Sequence, residues 1–194
     1  MEPIYIPKFI PVENTQDYYE ILMNEVHWLE VQANRKECFM ASKPVQYAYG
    51  NFHGSPIRPY QSTEYHPVVM YLQHKLNAGY LTDYNVCFLN RYDDASKSLG
   101  WHADDSPEMN MDHPIAVISL GAEREIWWRP KEQKGEVPPE QRKLLASGSL
   151  FIMPAGFQKD YYHRIPKGSS PKEPRISLTF RNYKEAGDTN ADHV

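Results

Sequence analysis

Tyr84-Asn-Val-Cys-Phe-Leu-Asn-Arg-Tyr92 is the stretch on which the fold class turns. It opens a succession of short segments rich in aromatic and β-branched residues, at 84–92, 115–120, 123–129, 144–146, 149–154 and 175–183. Gly, Pro and charged turns divide them, so each reads as a strand. The chain before it has a different period. Ile21, Leu22, Val26 and Leu29 recur at helical spacing, which predicts a helix over about 15–31, capped by Asn14 with Asp17 in its first turn. A second helix is expected over 66–77, with Val69, Leu72 and Leu76 on its inner face and Gly79 just past its end. Residues 41–62, full of Tyr, Pro, Gly and Ser, show no steady period and read as a loop with short strands. Helices first and strands afterwards make an α+β chain.

The 194 residues suffice for one domain with a substantial buried core, taken here as 1–194. Neither an internal repeat nor a linker interrupts it, and 130–139 reads as a polar hairpin excursion. The residues from about 184 form a polar tail expected to be disordered. Cys38 and Cys87, the two cysteines, match no metal or redox spacing and read as thiols in a reducing compartment. The start, Met1-Glu-Pro-Ile-Tyr-Ile-Pro, is not a secretory signal, and no stretch is apolar enough to span a membrane. An intracellular protein, cytoplasmic or nuclear, is expected. The net charge is −4. Basic residues still gather in Arg124-Glu-Ile-Trp-Trp-Arg129-Pro-Lys131 and at Arg142, Lys143, Lys159, Arg164, Lys167 and Lys172. As a group they make a local phosphate-binding rim plausible despite the acidic total.

His102-Ala103-Asp104, a lone His163 and Arg175-Ile-Ser-Leu-Thr-Phe-Arg181 carry the chemistry. Two histidines and one carboxylate bind one face of an octahedral Fe(II) and leave positions open. On an extended segment, residues two apart share a face, so His102 and Asp104 can reach one ion. His163 is the natural third ligand. An arginine supplies a planar, permanently charged fork for a carboxylate. Asn90 and Tyr92, again two apart, face one side and can donate hydrogen bonds to the same ligand.

Around these residues stand Asn90-Arg91-Tyr92-Asp93-Asp94, Leu99-Gly100-Trp101, Pro114-Ile-Ala-Val-Ile-Ser-Leu-Gly121, Gly148-Ser149-Leu-Phe-Ile-Met153-Pro154 and Tyr162-His163-Arg164-Ile-Pro166. Their order and spacing resemble the AlkB-like branch of the Fe(II)/2-oxoglutarate dioxygenases, over roughly residues 43–183. The resemblance implies a double-stranded β-helix, or jelly roll, with the N-terminal helices packed on one sheet and a catalytic core at about 84–183. It implies Fe(II), 2-oxoglutarate and O2 as cofactors, and His102, Asp104 and His163 as metal ligands. Arg175 would take the far carboxylate of 2-oxoglutarate, with Arg181 near the metal-chelating end. Asn90 and Tyr92 would donate to the cosubstrate, and Phe88 would pack on its carbon chain. At Ser177 relatives often carry Asn, so a weaker cosubstrate contact is expected there.

The resemblance further implies a nucleic acid partner whose alkylated base is flipped into a pocket and demethylated, releasing formaldehyde, succinate and CO2. The lid that recognises the nucleotide would lie at about 41–62 and supply Tyr49, Arg58 and Tyr60. Trp101 would add to the pocket wall and Asp105 would contact the base. The lid is shorter than in repair-type relatives. A hydroxylase of a protein side chain or small molecule on the same scaffold is the alternative, favoured by the acidic net charge. A silent binding module is disfavoured because every ligand and the cosubstrate arginine are present. The protein is expected to act as a monomer.

Overall fold

A computed structural model describes residues 1–49, 58–131, 139–170 and 173–184. The side chains of 31–32, 46–49 and 58–59 also lie outside the described residues. Thirteen strands and three helices follow one another along the described chain. β1 (Ile4–Ile6) precedes α1 (Val12–Glu25), then come β2 (Leu29–Gln32), β3 (Arg35–Ala41), β4 (Gln46–Tyr49) and β5 (Arg58–Gln61). α2 (Pro67–Tyr80) leads into β6 (Val86–Tyr92), β7 (Leu99–His102), β8 (Ile115–Gly121) and β9 (Arg124–Pro130). β10 (Gln141–Leu145), β11 (Ser149–Met153), α3 (Phe157–Asp160), β12 (Tyr161–Ile165) and β13 (Arg175–Arg181) complete it.

Seven strands form one sheet in the order β1-β11-β8-β13-β6-β3-β2, and four form a second in the order β10-β9-β12-β7. β4 and β5 pair as a separate hairpin. The neighbours in each sheet run antiparallel. This is the jelly roll that the family resemblance implied.

Side-chain alternation divides the core into two layers. On the outer face of the large sheet Cys87 and Leu89 of β6, Ala116, Ile118 and Leu120 of β8, and Ile176, Leu178 and Phe180 of β13 pack with Leu22 of α1 and Val69, Leu72 and Leu76 of α2. The inner face carries Val86, Phe88 and Tyr92, with Ile115 and Val117, against Ile126 and Trp128 of β9 and Ile165 of β12. Both helices therefore lie on one sheet, and the space between the sheets is left for the site.

Local boundaries differ from the sequence reading where a turn or cap overrides the period. The first helix starts at Val12, after Pro11 as N-cap, and Asn14 makes no cap bond. It ends at Glu25 because Val26 turns extended, and Leu29 is drawn into pairing with Glu37 of β3. The second helix runs on through Gly79 to Tyr80. Leu81 takes the left-handed cap at φ 52°, and its N–H reaches the Asn77 carbonyl. β1, β2, β3, β7 and β12 were absent from the expected strands, and so was α3. β3 hides because Arg35 and Glu37 face inward among apolar neighbours. β10 is longer than 144–146. Most of the expected excursion at 130–139 and all of the tail beyond 184 lie outside the described residues. Lys184, the last described residue, donates from its backbone to the Glu108 carbonyl at 2.9 Å.

Two glycines separate cap from turn. A Cβ on Gly79 meets nothing within 4 Å, so Gly79→Ala is expected to stabilise by about 0.5–1 kcal/mol through helix propensity. Gly121, at φ +81°, has Tyr19 Cε2 at 2.5 Å and the Pro174 carbonyl at 2.6 Å from where a Cβ would sit. Gly121→Ala is expected to cost about 2 kcal/mol or more. Urea unfolding of both variants checks the pair, and equal midpoints would contradict the assignment of helix interior and strained turn.

Candidate active site

The site is assembled by pairing the two strands that carry the histidines. β7 and β12 run antiparallel with His102 directly opposite His163, and the two imidazoles lie 4.1 Å apart between centroids. Asp104 is not on a strand, contrary to the same-face argument. It sits two residues past the end of β7, where its backbone N–H donates to Gln158 Oε1 at 2.9 Å. Gln158, buried on α3, also donates to Met153 Sδ at 3.3 Å, so α3 fixes the carboxylate loop. Arg181 Nη2 closes the arrangement on Asp104 Oδ1 at 2.8 Å.

His102 Nε2 lies 3.8 Å from Asp104 Oδ1, and His163 Nε2 lies 3.9 Å from Asp104 Oδ2. One donor atom from each of the three residues lies within 4.8 Å of the others. His102 Nδ1 is 2.9 Å from the Gly100 carbonyl, which requires the proton on Nδ1 and leaves the Nε2 lone pair for an ion. Asp104 Oδ2 is buried with no hydrogen-bond partner. A buried carboxylate oxygen in that condition fits a cation.

Electrostatics prepare these groups in the forms a metal needs. Burial alone would raise the Asp104 pKa, but Arg181, His163 and His102 overcome it and hold the carboxyl at about 2. Burial, with His102 beside it, lowers His163 to about 3. His102 is lowered too, chiefly by burial and against the pull of Asp104. Both imidazoles are thus neutral and the carboxylate ionised at neutral pH.

A cavity beside the triad is lined by Asn90, Tyr92, Ser177 and Arg175, with Val117 and Ile126. Arg175 is 1% exposed, and its Nε donates to Ser119 Oγ at 2.9 Å. Nη1 and Nη2 are buried without a well-formed hydrogen bond, beside the Tyr92 phenol, whose ring centroid lies 5.4 Å from the guanidinium carbon. Burial lowers the Arg175 pKa to about 10, and Tyr92 opposes the shift, so the group stays charged. A buried, charged fork whose terminal nitrogens meet only the Tyr92 phenol fits a carboxylate.

The residues singled out in the sequence thus fall into three places. His102, Asp104, His163 and Arg181 meet at the mouth between the sheets. Asn90, Tyr92, Ser177 and Arg175 line the inner cavity, where β13 and β6 set Ser177 opposite Asn90. Phe88 and Tyr60 line an adjoining cleft, with ring centroids 5.3 Å apart in a T-shaped contact. Two residues stand apart from both cavities. Trp101 is on the outer face of the small sheet, between Arg129 at 4.7 Å and Arg164 at 4.4 Å, and Asp105 pairs with Lys131 at 3.1 Å. The side chains of Tyr49 and Arg58, and all of Lys172, lie outside the described residues. Arg35 and Glu37 of β3, together with Gln158, were missed. Arg35 and Glu37 are two apart on one strand, the same signal that singled out Asn90 and Tyr92.

Comparison with known proteins agrees with this geometry. A family model described as the 2OG-Fe(II) oxygenase superfamily matches residues 3–181. The chain belongs to that superfamily. It is AlkB-like within it: "Alpha-ketoglutarate-dependent dioxygenase alkB homolog 3" of Homo sapiens is 30% identical over 182 residues, covering 90% of this chain and 64% of that protein. "DNA oxidative demethylase ALKBH2" of Homo sapiens is 36% identical over 102 residues, 50% of this chain and 39% of the relative. The chain spans 64% of the length of the Homo sapiens and Bos taurus alkB homolog 3 proteins. The solved structure of OsALKBH1 shares the fold, with a TM-score of 0.61 at 16% identity over 93% of this chain and 97% of the other. None of the described helices of this chain is long and apolar enough to cross a membrane.

The lowered histidine pKa values carry a sign. Folding keeps both rings neutral, so below about pH 6.5 the unfolded chain binds more protons than the folded one. Stability of the metal-free chain is expected to fall as pH drops from 7 towards 5, and to fall less in His163→Gln. Asp104 works at lower pH, since its contribution is lost only as pH falls below about 4. Urea midpoints across that range check this, and a flat profile would contradict neutral, buried imidazoles.

Proposed function

We propose that this oxygenase oxidatively demethylates N-alkylated bases, of the 1-methyladenine and 3-methylcytosine type, in DNA or RNA. The observation that carries the reading is the pair of adjoining cavities that meet at Asn90, Leu99, His102, Asp104 and Arg181. One holds the unsatisfied Arg175 fork and suits the dicarboxylate cosubstrate. The other is walled by Phe88 and Tyr60 and suits a flat ring. In this reading His102, Asp104 and His163 hold Fe(II), which supplies the oxidising chemistry when bound. Asn90 and Tyr92 orient the cosubstrate, Ser177 adds a short polar contact, and Arg181 keeps Asp104 ionised and in place.

Phe88, expected on the carbon chain of the cosubstrate, lines the other cleft instead, and the same reading gives it and Tyr60 the task of orienting the flipped base, with Tyr49, Arg58 and Asp105 around it. An N-methyl group, 2-oxoglutarate and O2 become the free N–H, formaldehyde, succinate and CO2, so every atom is accounted for. Three arginines interleaved with two indoles support contact with a phosphate backbone. Arg129 and Arg164 flank Trp101, and Arg164 and Arg142 lie 4.5 and 5.9 Å from Trp127. Trp101 then belongs to this outer surface, alongside the mouth. The two relatives named for dioxygenase and DNA demethylase activity support the substrate class. An intracellular monomer, cytoplasmic or nuclear, goes with it.

The test is mass spectrometry of single-stranded DNA and RNA carrying either lesion, incubated with protein, Fe(II), ascorbate and 2-oxoglutarate, while succinate is followed. Loss of one methylene mass with matching succinate is expected. Succinate without methyl loss would overturn the base substrate and favour a protein or small-molecule hydroxylase. Arg175→Met is expected to raise the KM for 2-oxoglutarate by about 10- to 100-fold, the loss of a charge-assisted bond of about 1.5–3 kcal/mol. An unchanged KM would assign that carboxylate to another residue.

A further inference from the structure

Glu37 is a buried charged group that none of these roles uses. It is 0% exposed on the inner face of β3, with Oε1 at 2.5 Å from Arg35 Nη2 and Oε2 accepting from the Tyr60 hydroxyl at 2.5 Å. Arg35, 7% exposed, turns its Nε to Asn90 Oδ1 at 2.7 Å. β3 and β6 set Glu37 directly opposite Asn90, and Tyr60 belongs to β5, outside the large sheet. A hydrogen-bonded chain thus runs from the β4–β5 hairpin through two charged side chains to a residue of the cosubstrate cavity. Apolar residues of similar volume commonly match or exceed the stability of such a buried ion pair, so stability alone does not account for it.

The chemistry of the last bond shows what the chain does. A guanidinium only donates, and an asparagine amide has one accepting and one donating end. The end of Asn90 that meets Arg35 is therefore the oxygen, and its NH2 group is turned away from Arg35. Asn90 lines both cavities, together with His102, Asp104 and Arg181. An amide free to rotate by half a turn would present its oxygen there for part of the time. That oxygen would repel the keto and carboxylate oxygens of 2-oxoglutarate.

We propose that Tyr60, Glu37 and Arg35 form a positioning relay that holds the Asn90 NH2 group toward the 2-oxoglutarate cavity and ties cosubstrate affinity to the seating of the β4–β5 hairpin. It rests on the reading of Asn90 as a cosubstrate donor. Arg35 and Glu37 touch no reacting atom in this scheme and act through Asn90. The hairpin, which carries Tyr60 into the cleft, is linked to Asn90 by three consecutive polar contacts.

Calorimetric titration of 2-oxoglutarate into the full chain loaded with Mn(II) tests the relay without turnover. Arg35→Met is expected to raise the Kd about tenfold, and Tyr60→Phe, which keeps the ring against Phe88, about threefold. In an Asn90→Ala background neither change should move the Kd further, because neighbours in one network are coupled. Arg35→Lys should recover part of the affinity, since an ammonium still donates to Oδ1. With iron and substrate, the KM for 2-oxoglutarate should rise while kcat changes less. Should Arg35→Met fail to fold, the cycle of Tyr60→Phe with Asn90→Ala carries the test. Wild-type binding with a Kd unchanged in the variants, or effects that add in the Asn90→Ala background, would overturn the relay alone. Absence of 2-oxoglutarate binding by the wild-type chain would overturn the cosubstrate reading and the relay with it.

Discussion

Two arginines stand at the ends of one strand buried along its whole length, and each must meet a negative charge. Alternation along β13 sends Ile176, Leu178 and Phe180 to the helices and turns Arg175, Ser177, Thr179 and Arg181 into the space between the sheets. A guanidinium there, out of water, is costly unless it is paired. Arg181 finds Asp104 at 2.8 Å, and in doing so fixes the carboxylate beside both histidines. Arg175 keeps Nη1 and Nη2 without a well-formed bond. The strand thus holds one arginine paired by the fold and one whose buried fork suits a carboxylate.

The polar interior extends this logic. Asp104 is kept ionised at neutral pH chiefly by Arg181, against its burial, and the histidines are kept neutral because burial outweighs Asp104. Gln158 on α3 and the Gly100 carbonyl then set the orientation of Asp104 and of His102. On the far side, β3 adds Arg35 and Glu37, so that Asn90 is oriented by charge as well as by its strand. Among the buried polar atoms without a hydrogen-bond partner, Asp104 Oδ2 and Arg175 Nη1 and Nη2 belong to residues that line the inner cavity.

The sequence made the strand-rich half of the fold legible because β6, β8, β11 and β13 are short apolar runs between Gly, Pro and charged turns. The jelly-roll topology came from family resemblance, since no periodicity says which strands pair. β3 and β12 escaped notice because inward-facing Arg35, Glu37 and His163 break the apolar pattern, and the pattern breaks where the fold builds its site. The pairing of His102 with His163 across β7 and β12 lay beyond local reading for the same reason. Asp104 was grouped with His102 by the two-residue rule, yet it reaches the site from a loop held by Gln158. Trp101 stands next to a ligand in sequence, but a bulge in the β7–β12 pairing accompanies its place on the outer face.

A crystal structure of the chain soaked with Mn(II) and 2-oxoglutarate tests the central claim most directly. The account predicts the ion on His102 Nε2, His163 Nε2 and an Asp104 oxygen, with the far carboxylate of 2-oxoglutarate across Arg175 Nη1 and Nη2. An ion bound elsewhere, or a carboxylate that leaves those two nitrogens without a partner, would contradict it.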